Sequence, residues 1–451
     1  MLTVVATLVA LSVLILIHEL GHFFAAKSVD IAAPTFSLGL GPRVTGFKWG
    51  ETDFVISAIP LGGYVKMAGM EDDEAMEVLE GGEKAPPVDP ARTFDAKPIW
   101  ARTWVISAGV IMNLIFALLA NIVLAAGQGE PYVATRRLAP MHELGGSAAQ
   151  VRQLPIGAEV VSVAGQPVAD YNQMQERLAA LPAGPVQLGI RGGAPVTLQL
   201  PAPGTSRDSV QGALRPYSPP VFAIVLPDRP AAKAGLKPND RIVAIGGQPV
   251  TAWHQAVERF RDSPGKPLRV DVERGGKQVS VTMTPDAEEE KVDGQKRMVG
   301  KIGAQEMPLI HYRRLGFGAA IAHGWHQTVA MVELLLTTLR DLVTGALSPR
   351  NLGGLLSIGE ASGQSAQQGG WSFLEFLALL SVNLAVLNLL PIPILDGGHL
   401  MFLLVEAVRG RPLSVEARIR LSHVGLIIVV GLMLWANGND VVRYVERFLS
   451  R

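Results

Sequence analysis

"LILIHELGHFF", residues 14–24, places two histidines and a glutamate inside an apolar run long enough to cross a membrane. An ionisable group at mid-bilayer costs about 2.5–3.5 kcal/mol on insertion scales, so these side chains need partners. Residues 18–22 have the His-Glu-x-x-His spacing. On a helix, positions i and i+4 share one face, so His18 and His22 can bind one Zn²⁺ while Glu19 acts as general base on a water molecule.

Composition removes several other classes of site and partner. The 451 residues contain no cysteine, which excludes disulfides, thiolate zinc sites and cysteine nucleophiles. Forty basic residues balance forty acidic ones, so no overall field favours nucleic acid, and none is predicted as a partner. The hydrophobic fraction of 48% is concentrated in a few long stretches.

Four stretches are predicted to form transmembrane helices, because a bilayer core needs about 20 helical residues. They are residues 2–26, 104–126, 373–395 and 421–436. The first is not read as a cleaved signal peptide, since it lacks a basic start and runs too long. Basic residues in the segments 27–102 and 399–420 place both in the cytoplasm, although the arginines after residue 442 weakly oppose this.

The segment between the second and third spans contains an internal repeat. "VVSVAGQPV" at 160–168 matches "IVAIGGQPV" at 242–250, and "IRGGAPVTLQL" at 190–200 is echoed at 273–283. The offset is 82 or 83 residues, which predicts a duplicated α+β domain rather than a solenoid.

"AAKAGLKPNDRIVAIGGQPV" at 231–250 resembles the signature of bacterial PDZ domains, which bind extended peptides at a sheet edge. In this copy Pro238, Asn239 and Asp240 replace the usual Gly-Asp step. The first copy has Glu159 where a basic residue normally stands, so it either binds peptide or serves only as a spacer.

A hydrolytic zinc site usually has three protein ligands. His18 lies about 24 Å along the first span from Leu2, near its cytoplasmic side. Asp396, at the end of the third span, reaches the same side and is the predicted third ligand. Two alternatives stay open: Asp396 caps a helix end, or His399 is the ligand.

Two further segments are predicted to contact substrate. Residues 51–67 alternate like strands and bend at Pro60, Gly62 and Gly63, which predicts a membrane-associated β-hairpin whose edge pairs with an unwound substrate. A cytosolic hairpin is the alternative. In the third span, Asn383 and Asn388 either hold a substrate carbonyl or tie helices together.

Residues 326–347 are predicted to form an amphipathic helix lying on the membrane or on the duplicated domains, rather than a fifth span. His323 and His326 have ligand-like spacing, but an ordinary amphipathic face explains them better.

Taken together, the chain resembles the bacterial site-2 protease family. The motifs are residues 18–22, "FSLGLGP" at 36–42, "PLGGYVKM" at 60–67, Leu-Asp-Gly-Gly at 395–398, and the tandem PDZ copies. The resemblance implies a polytopic α-helical membrane protein with four transmembrane helices, a membrane-associated β-hairpin and two inserted PDZ-like domains. It implies Zn²⁺ on His18, His22 and Asp396, Glu19 as base, and substrate contacts from Asn383 and Asn388. Gly62 and Gly63 are predicted to contact substrate because they lie at the bend of the predicted hairpin.

The resemblance also implies a biological setting. The expected substrates are single-span membrane proteins already cut outside the membrane, namely an anti-sigma factor of the envelope stress response and signal-peptide remnants. The expected location is the bacterial inner membrane, in contact with lipid, with the PDZ pair in the periplasm as a size filter. Val110 and Leu355 depart from the family, which usually has proline at both positions.

The predicted divisions of the chain are 1–27, 28–100, 101–127, 128–213, 214–308, 309–370, 371–400 and 401–451. Two other classes of protein compete with a protease. One is a PDZ scaffold with a structural metal site, which would have no use for Glu19. The other is a metal transporter. It is disfavoured because four spans with one buried acid make a poor ion pathway.

Overall fold

The computed structural model describes residues 2–70, 88–140, 146–292, 295–306, 309–345 and 353–449. The chain divides into two compact units. The membrane unit comprises Met1–Glu130 and Arg314–Arg451, and the inserted unit comprises Pro131–Arg313.

The elements follow one another in three groups. Before the insert come α1 Leu2–Ser28, β1 Thr35–Trp49, β2 Thr52–Lys66 and α2 Ile99–Gly127. The insert and its first strand contain β3 Glu130–Val133, β4 Arg137–Leu138, β5 Ala158–Val163, β6 Gln166–Pro167, α3 Tyr171–Ala180, β7 Gly184–Ile190, β8 Val196–Leu200, α4 Thr205–Ala213, β9 Phe222–Val225, α5 Pro230–Lys233, β10 Arg241–Ile245, β11 Gln248–Pro249, α6 Trp253–Arg261, β12 Leu268–Arg274, β13 Lys277–Met283, β14 Asp286–Val292, β15 Gln295–Lys301, β16 Ala304–Glu306 and β17 Ile310–Arg313. After it come α7 Phe317–Val343, α8 Leu355–Gln368, α9 Gly370–Asn388, α10 Asp396–Arg409 and α11 Val415–Leu449. Short 3-10 helices cover Pro90–Arg92 and Gly146–Gln153.

Within the described part of the chain, four helices are long and apolar enough to cross a membrane: α1, α2, α9 and the Val415–Arg443 part of α11. The prediction of a membrane protein with four spans is therefore confirmed. Aromatic residues mark opposite ends of the bundle, as expected at membrane interfaces. Trp100 and Trp104 are exposed at the start of α2, while Trp371 at the start of α9 packs against Gly127 at the end of α2.

The third span is shorter than the sequence predicts. Helix α9 ends at Asn388, and the backbone is irregular up to Leu395, because Pro391 and Pro393 lack the N–H that a helix requires. Ile394 adopts a positive φ of 121°. Asp396 therefore begins α10 instead of ending the third span. The alternative that it caps the C-terminal end of the third span is wrong.

Strands β1 and β2 fold back on themselves into one curled sheet. Thr35 pairs with both Lys66 and Asp53, so the start of β1 lies between the two halves of β2. Only the second strand was predicted from the sequence, and the motif at 36–42 is the beginning of the first. Phe36 and Phe54 pack on Phe23 of α1, which fixes the sheet to the first span.

Helix α2 is the central helix of the membrane unit. It packs against α1, α7, α9 and α10. Small residues allow this close packing: Ala117 and Ala120 are buried against other helices, and Gly324 of α7 abuts Ile122. Asn121 donates to Thr328 of α7 at 2.9 Å. The predicted amphipathic helix is thus α7, which begins earlier than expected and lies along α2.

The two family departures leave the local helices intact. Helix α2 continues through Val110, which is buried. Leu355 is the first residue of α8, and its N–H donates to Asn437 Oδ1 of α11 at 3.0 Å. A proline at 355 could not make this bond.

The inserted unit repeats one arrangement twice. The first main sheet has the strand order β4-β5-β7-β8 with β6 also paired to β5, and the second has the order β11-β10-β12-β13. In each sheet a helix follows the short strand β6 or β11 and precedes β7 or β12. Each half has its own hydrophobic core, around Leu188 in the first and Phe222 in the second. The predicted duplication is present in the structure.

The positions at which the copies depart from the usual signature are well satisfied. Asn239 takes the left-handed conformation at φ 70°, which asparagine tolerates better than most residues. Burial disfavours a charged Asp240, but hydrogen bonds from Arg274 and the Lys237 N–H outweigh it and lower the pKa of that carboxyl. In the first copy, Glu159 forms ion pairs with Arg136 and Arg191.

An ion pair joins α2 to α10. Arg102 donates to both carboxylate oxygens of Glu406, at 3.1 and 2.5 Å, and the two side chains are only 10% and 14% exposed.

We expect Arg102→Met or Glu406→Gln alone to lower the free energy of unfolding by about 3–5 kcal/mol, because each leaves a buried polar partner unpaired. The double variant should recover most of this loss. Thermal unfolding in detergent measures it, and equal losses in single and double variants would contradict the pairing.

Candidate metal centre

Three side chains from two helices converge inside the membrane unit. His18 and His22 lie one turn apart on α1, and Asp396 lies in the first turn of α10. The two Nε2 atoms are 3.2 Å apart, and Asp396 Oδ2 lies 3.3 Å from Nε2 of His18 and 3.6 Å from Nε2 of His22. Both histidines are buried. Within the described residues, this is the group found to be able to hold a metal ion.

The donor atoms fit Zn²⁺. Ligands about 2.0–2.2 Å from a tetrahedral centre lie roughly 3.3–3.6 Å from one another, which is close to the separations found. Asp396 Oδ2 is buried and makes no hydrogen bond of acceptable geometry, although such an oxygen needs a partner at this depth. Two imidazoles and one carboxylate are a donor set of catalytic zinc sites, which keep one position for water or substrate.

A backbone group of α2 orients His22. Its Nδ1 lies 2.9 Å from the carbonyl oxygen of Val105. A carbonyl only accepts, so Nδ1 carries the hydrogen and the lone pair of Nε2 points toward Asp396.

Two asparagines contact His18. Asn113 Nδ2 lies 3.2 Å from its Nδ1, and Asn388 Nδ2 lies 3.3 Å from its Nε2. The structure therefore brings Asn388 to the centre, whereas the half-buried Asn383 lies five residues earlier on α9 and has no hydrogen bond to either histidine among the described contacts. Asn113 is not among the site residues predicted from the sequence.

Glycines permit the close crossing of α1 and α2. A Cβ on Gly109 would lie 2.6 Å from His18 Cε1 and 2.9 Å from its Nδ1. A Cβ on Gly21 would lie 2.9 Å from Cβ of Met112. Neither glycine was identified as a site residue from the sequence, because its role is to leave space.

Two more glycines position Asp396. Added Cβ atoms on Gly397 and Gly398 would collide with the backbone of the irregular segment, at Leu389 and Ile392. That segment can wrap around the first turn of α10 only because these positions have no side chain. A carboxylate in the first turn is also favoured by the helix dipole.

Strand β2 passes beside Glu19. A Cβ on Gly63 would lie 3.1 Å from Glu19 Cγ and 2.7 Å from Ile15 Cγ2, so Gly63 lies directly against α1. Gly62 has a φ of 94° and faces Leu40. Of the two predicted substrate-binding glycines, Gly63 thus lies where the sheet contacts the helix of the metal motif, and Gly62 lies against β1.

The alternative ligands are not members of the group. The ring of His399 packs on Phe402, and this histidine is not a member of the triad found among the described residues. His323 and His326 are on α7, where His323 Nδ1 lies 3.9 Å from Glu130 Oε1.

The comparison with known families agrees with this geometry. The model of peptidase family M50 matches residues 6–432. The chain belongs to peptidase family M50. This M50 chain is 34% identical to the regulator of sigma-E protease RseP of Salmonella typhimurium strain 14028s, covering 97% of the chain and 98% of the relative. It is 33% identical to RseP of Escherichia coli K12, covering 97% of each. It is also 33% identical to a Neisseria meningitidis serogroup A protein named as a zinc metalloprotease, covering 98% of the chain and 99% of the relative.

Family membership confirms two predictions: the chain is a metalloprotease, and its cofactor is Zn²⁺. The resemblance to site-2 proteases is confirmed as well. The roles of the individual site residues stay predictions.

Gly109 allows a direct test of the α1–α2 crossing. We expect Gly109→Ala to reduce bound zinc at least tenfold, because the added methyl group would push His18 and His22 from their positions. The matched control is Gly431→Ala in α11, where an added methyl group meets nothing within 4 Å. Zinc per protein, measured by elemental analysis after purification, distinguishes them, and equal zinc in both variants would contradict the proposed packing.

Proposed function

We propose that this protein is an intramembrane zinc endopeptidase that cuts the transmembrane segments of single-span proteins. One observation carries the proposal: His18, Glu19 and His22 lie on α1, a helix apolar enough to span a membrane, and Asp396 meets the two histidines from the first turn of α10. A peptidase site at that depth reaches peptide bonds that lie inside the bilayer.

Each residue has a defined part in the reaction. His18, His22 and Asp396 hold the metal. When bound, Zn²⁺ supplies a Lewis acid that activates water and polarises a carbonyl group. Glu19 accepts a proton from the attacking water and delivers it to the leaving amide nitrogen. Asn388, beside His18, is placed to donate to the scissile carbonyl.

The curled sheet offers a solution to the problem of an unwound substrate. A transmembrane helix hides its peptide bonds, and an extended segment in the membrane needs new partners for its backbone. The Gly63–Lys66 end of β2 pairs with β1 on one side and lies at the edge of the sheet next to Glu19. A substrate strand added to this edge would present its backbone to the metal centre.

Other exposed side chains of the sheet support its contact with lipid. Val44, Phe47 and Trp49 of β1 are each more than 60% exposed. Apolar side chains this exposed are favourable against lipid rather than water. We therefore favour the membrane-associated hairpin over a cytosolic one.

The two halves of the inserted unit act as PDZ domains in this proposal, with divisions at 128–213 and 214–308. Their repeated sheet order and the Ala-Gly-Leu turn after β9 support the assignment. They would lie in the periplasm and admit only substrates already trimmed outside the membrane.

The names of the relatives favour a setting in sigma-E regulation. We propose the bacterial inner membrane as the location. The proposed substrates are a transmembrane anti-sigma factor, after its first extracytoplasmic cut, and signal-peptide remnants.

Glu19→Gln tests the catalytic role. The amide cannot accept the proton, so we expect cleavage to fall at least 10³-fold while bound zinc stays equal to the wild type. The protein would be assayed in detergent with a single-span substrate whose outer domain has been removed, and the products identified by mass spectrometry. Glu333→Gln, at an exposed position of α7, is the control.

Each outcome discriminates between functions. Cleavage by wild type and Glu333→Gln alone, within the apolar segment, supports the intramembrane protease. Full cleavage by Glu19→Gln rejects Glu19 as base. Zinc in every variant without any cleavage favours a membrane scaffold with a structural metal site.

Gly63→Val tests strand addition. The larger side chain cannot fit between Ser37 and Ile15, so we expect the edge of β2 to shift and cleavage to fall at least tenfold with zinc unchanged. Ala58→Val, at an exposed position of the same strand, should cleave normally. In Gly63→Val, cleavage of a substrate with a helix-breaking proline near the cut should fall less than cleavage of a fully helical substrate. Equal losses of cleavage for the two substrates would contradict strand pairing.

A further inference from the structure

Three positions of α2, each four residues apart, face the two histidines of α1. Val105 provides the carbonyl oxygen that holds His22 Nδ1. Gly109 leaves space for both rings. Asn113 is completely buried, and its side-chain amide lies 3.2 Å from His18 Nδ1. Val105 and Asn113 thus meet the ring nitrogens that are not next to Asp396, although α2 provides no ligand itself.

Hydrogen-bond chemistry decides which end of the Asn113 amide faces His18. The two ends have nearly the same shape, so either can occupy the position. If Nδ2 donates to Nδ1, the hydrogen of the imidazole must lie on Nε2, which then cannot bind a metal. With Nδ2 facing the ring, Asn113 Oδ1 is also buried and has no hydrogen bond.

Turning the amide by half a rotation removes the conflict with metal binding and gives Oδ1 a partner. Oδ1 then accepts the hydrogen of His18 Nδ1, and the lone pair of Nε2 points toward Asp396, 3.3 Å away. We propose that Asn113 is a positioning residue that fixes His18 as an Nε2 ligand, as the Val105 carbonyl does for His22. The inference rests on the metal-ligand roles proposed above.

The backbone of Asn113 is held as firmly as its side chain. Its carbonyl oxygen accepts a hydrogen bond from Ser381 Oγ of α9 at 2.9 Å, and Ser381 is completely buried. Asn113 therefore connects three helices: α2, which carries it; α9, which holds its backbone; and α1, whose histidine it orients. Losing an outer partner of a ligating histidine typically lowers metal affinity about 10–100-fold.

Metal affinity of the full-length protein in detergent tests the inference without an activity assay. The metal-depleted protein would be titrated with Co²⁺ and with Zn²⁺ against a chelator of known affinity. We expect Asn113→Leu, which has similar volume but no acceptor, to bind both metals about 10–100-fold more weakly and to change the visible Co²⁺ spectrum. Asn113→Asp keeps an acceptor for Nδ1–H and should restore binding to within a few-fold of the wild type.

Asn121→Leu is the matched control, because Asn121 is a buried asparagine on the same helix that bonds to Thr328 instead of a histidine. It should lower thermal stability without changing metal affinity. Wild-type affinity in Asn113→Leu would overturn the inference, as would equal weakening in Asn113→Leu and Asn121→Leu or in Asn113→Leu and Asn113→Asp.

Asp396→Asn separates this inference from the proposed function. If Asp396→Asn loses the metal and Asn113→Leu retains it, only the role of Asn113 fails. If neither the wild type nor Asp396→Asn gives a defined Co²⁺ complex, the ligand assignment fails and the inference falls with it.

Discussion

The membrane unit depends on one constraint: polar groups held at bilayer depth must find their partners among neighbouring helices, since no water is there to serve them. His18, His22 and Asp396 satisfy one another only in part, and the remaining ring atoms turn to α2. On successive turns, this helix provides the carbonyl of Val105, the space at Gly109 and the side-chain amide of Asn113. Its position at the centre of the bundle follows, because every element that carries a site residue must pack against it or against its neighbours.

The break between α9 and α10 meets the same constraint differently. Irregular backbone is unfavourable in an apolar environment unless protein covers it. Here α10 approaches the irregular segment closely at Gly397 and Gly398, and α11 packs on Pro393 at Gly425. The break turns the chain so that a carboxylate at a helix start faces the histidines, whereas a continuous α9 would carry the chain past them.

Local patterns explain why much of this could be predicted from the sequence. Hydropathy gives the spans, the spacing of His18 and His22 gives their common face, and the 82-residue offset gives the duplication. Asp396 could be predicted from depth alone. The double pairing of Thr35 could not, because strand register depends on residues far apart in the chain. The Val105 carbonyl is equally invisible, since every residue has one, and the space at Gly109 is recognisable only when the opposing helix is known.

Strands β3 and β17 are hydrogen-bonded neighbours in a two-stranded sheet, although nearly the whole inserted unit separates them in the chain. Adjacent strands lie about 4.8 Å apart, so the insert leaves almost where it enters. A chain with such closely spaced ends can gain, lose or exchange an entire module at the cost of a short turn. The membrane unit and the inserted unit can therefore evolve separately, each under its own selection.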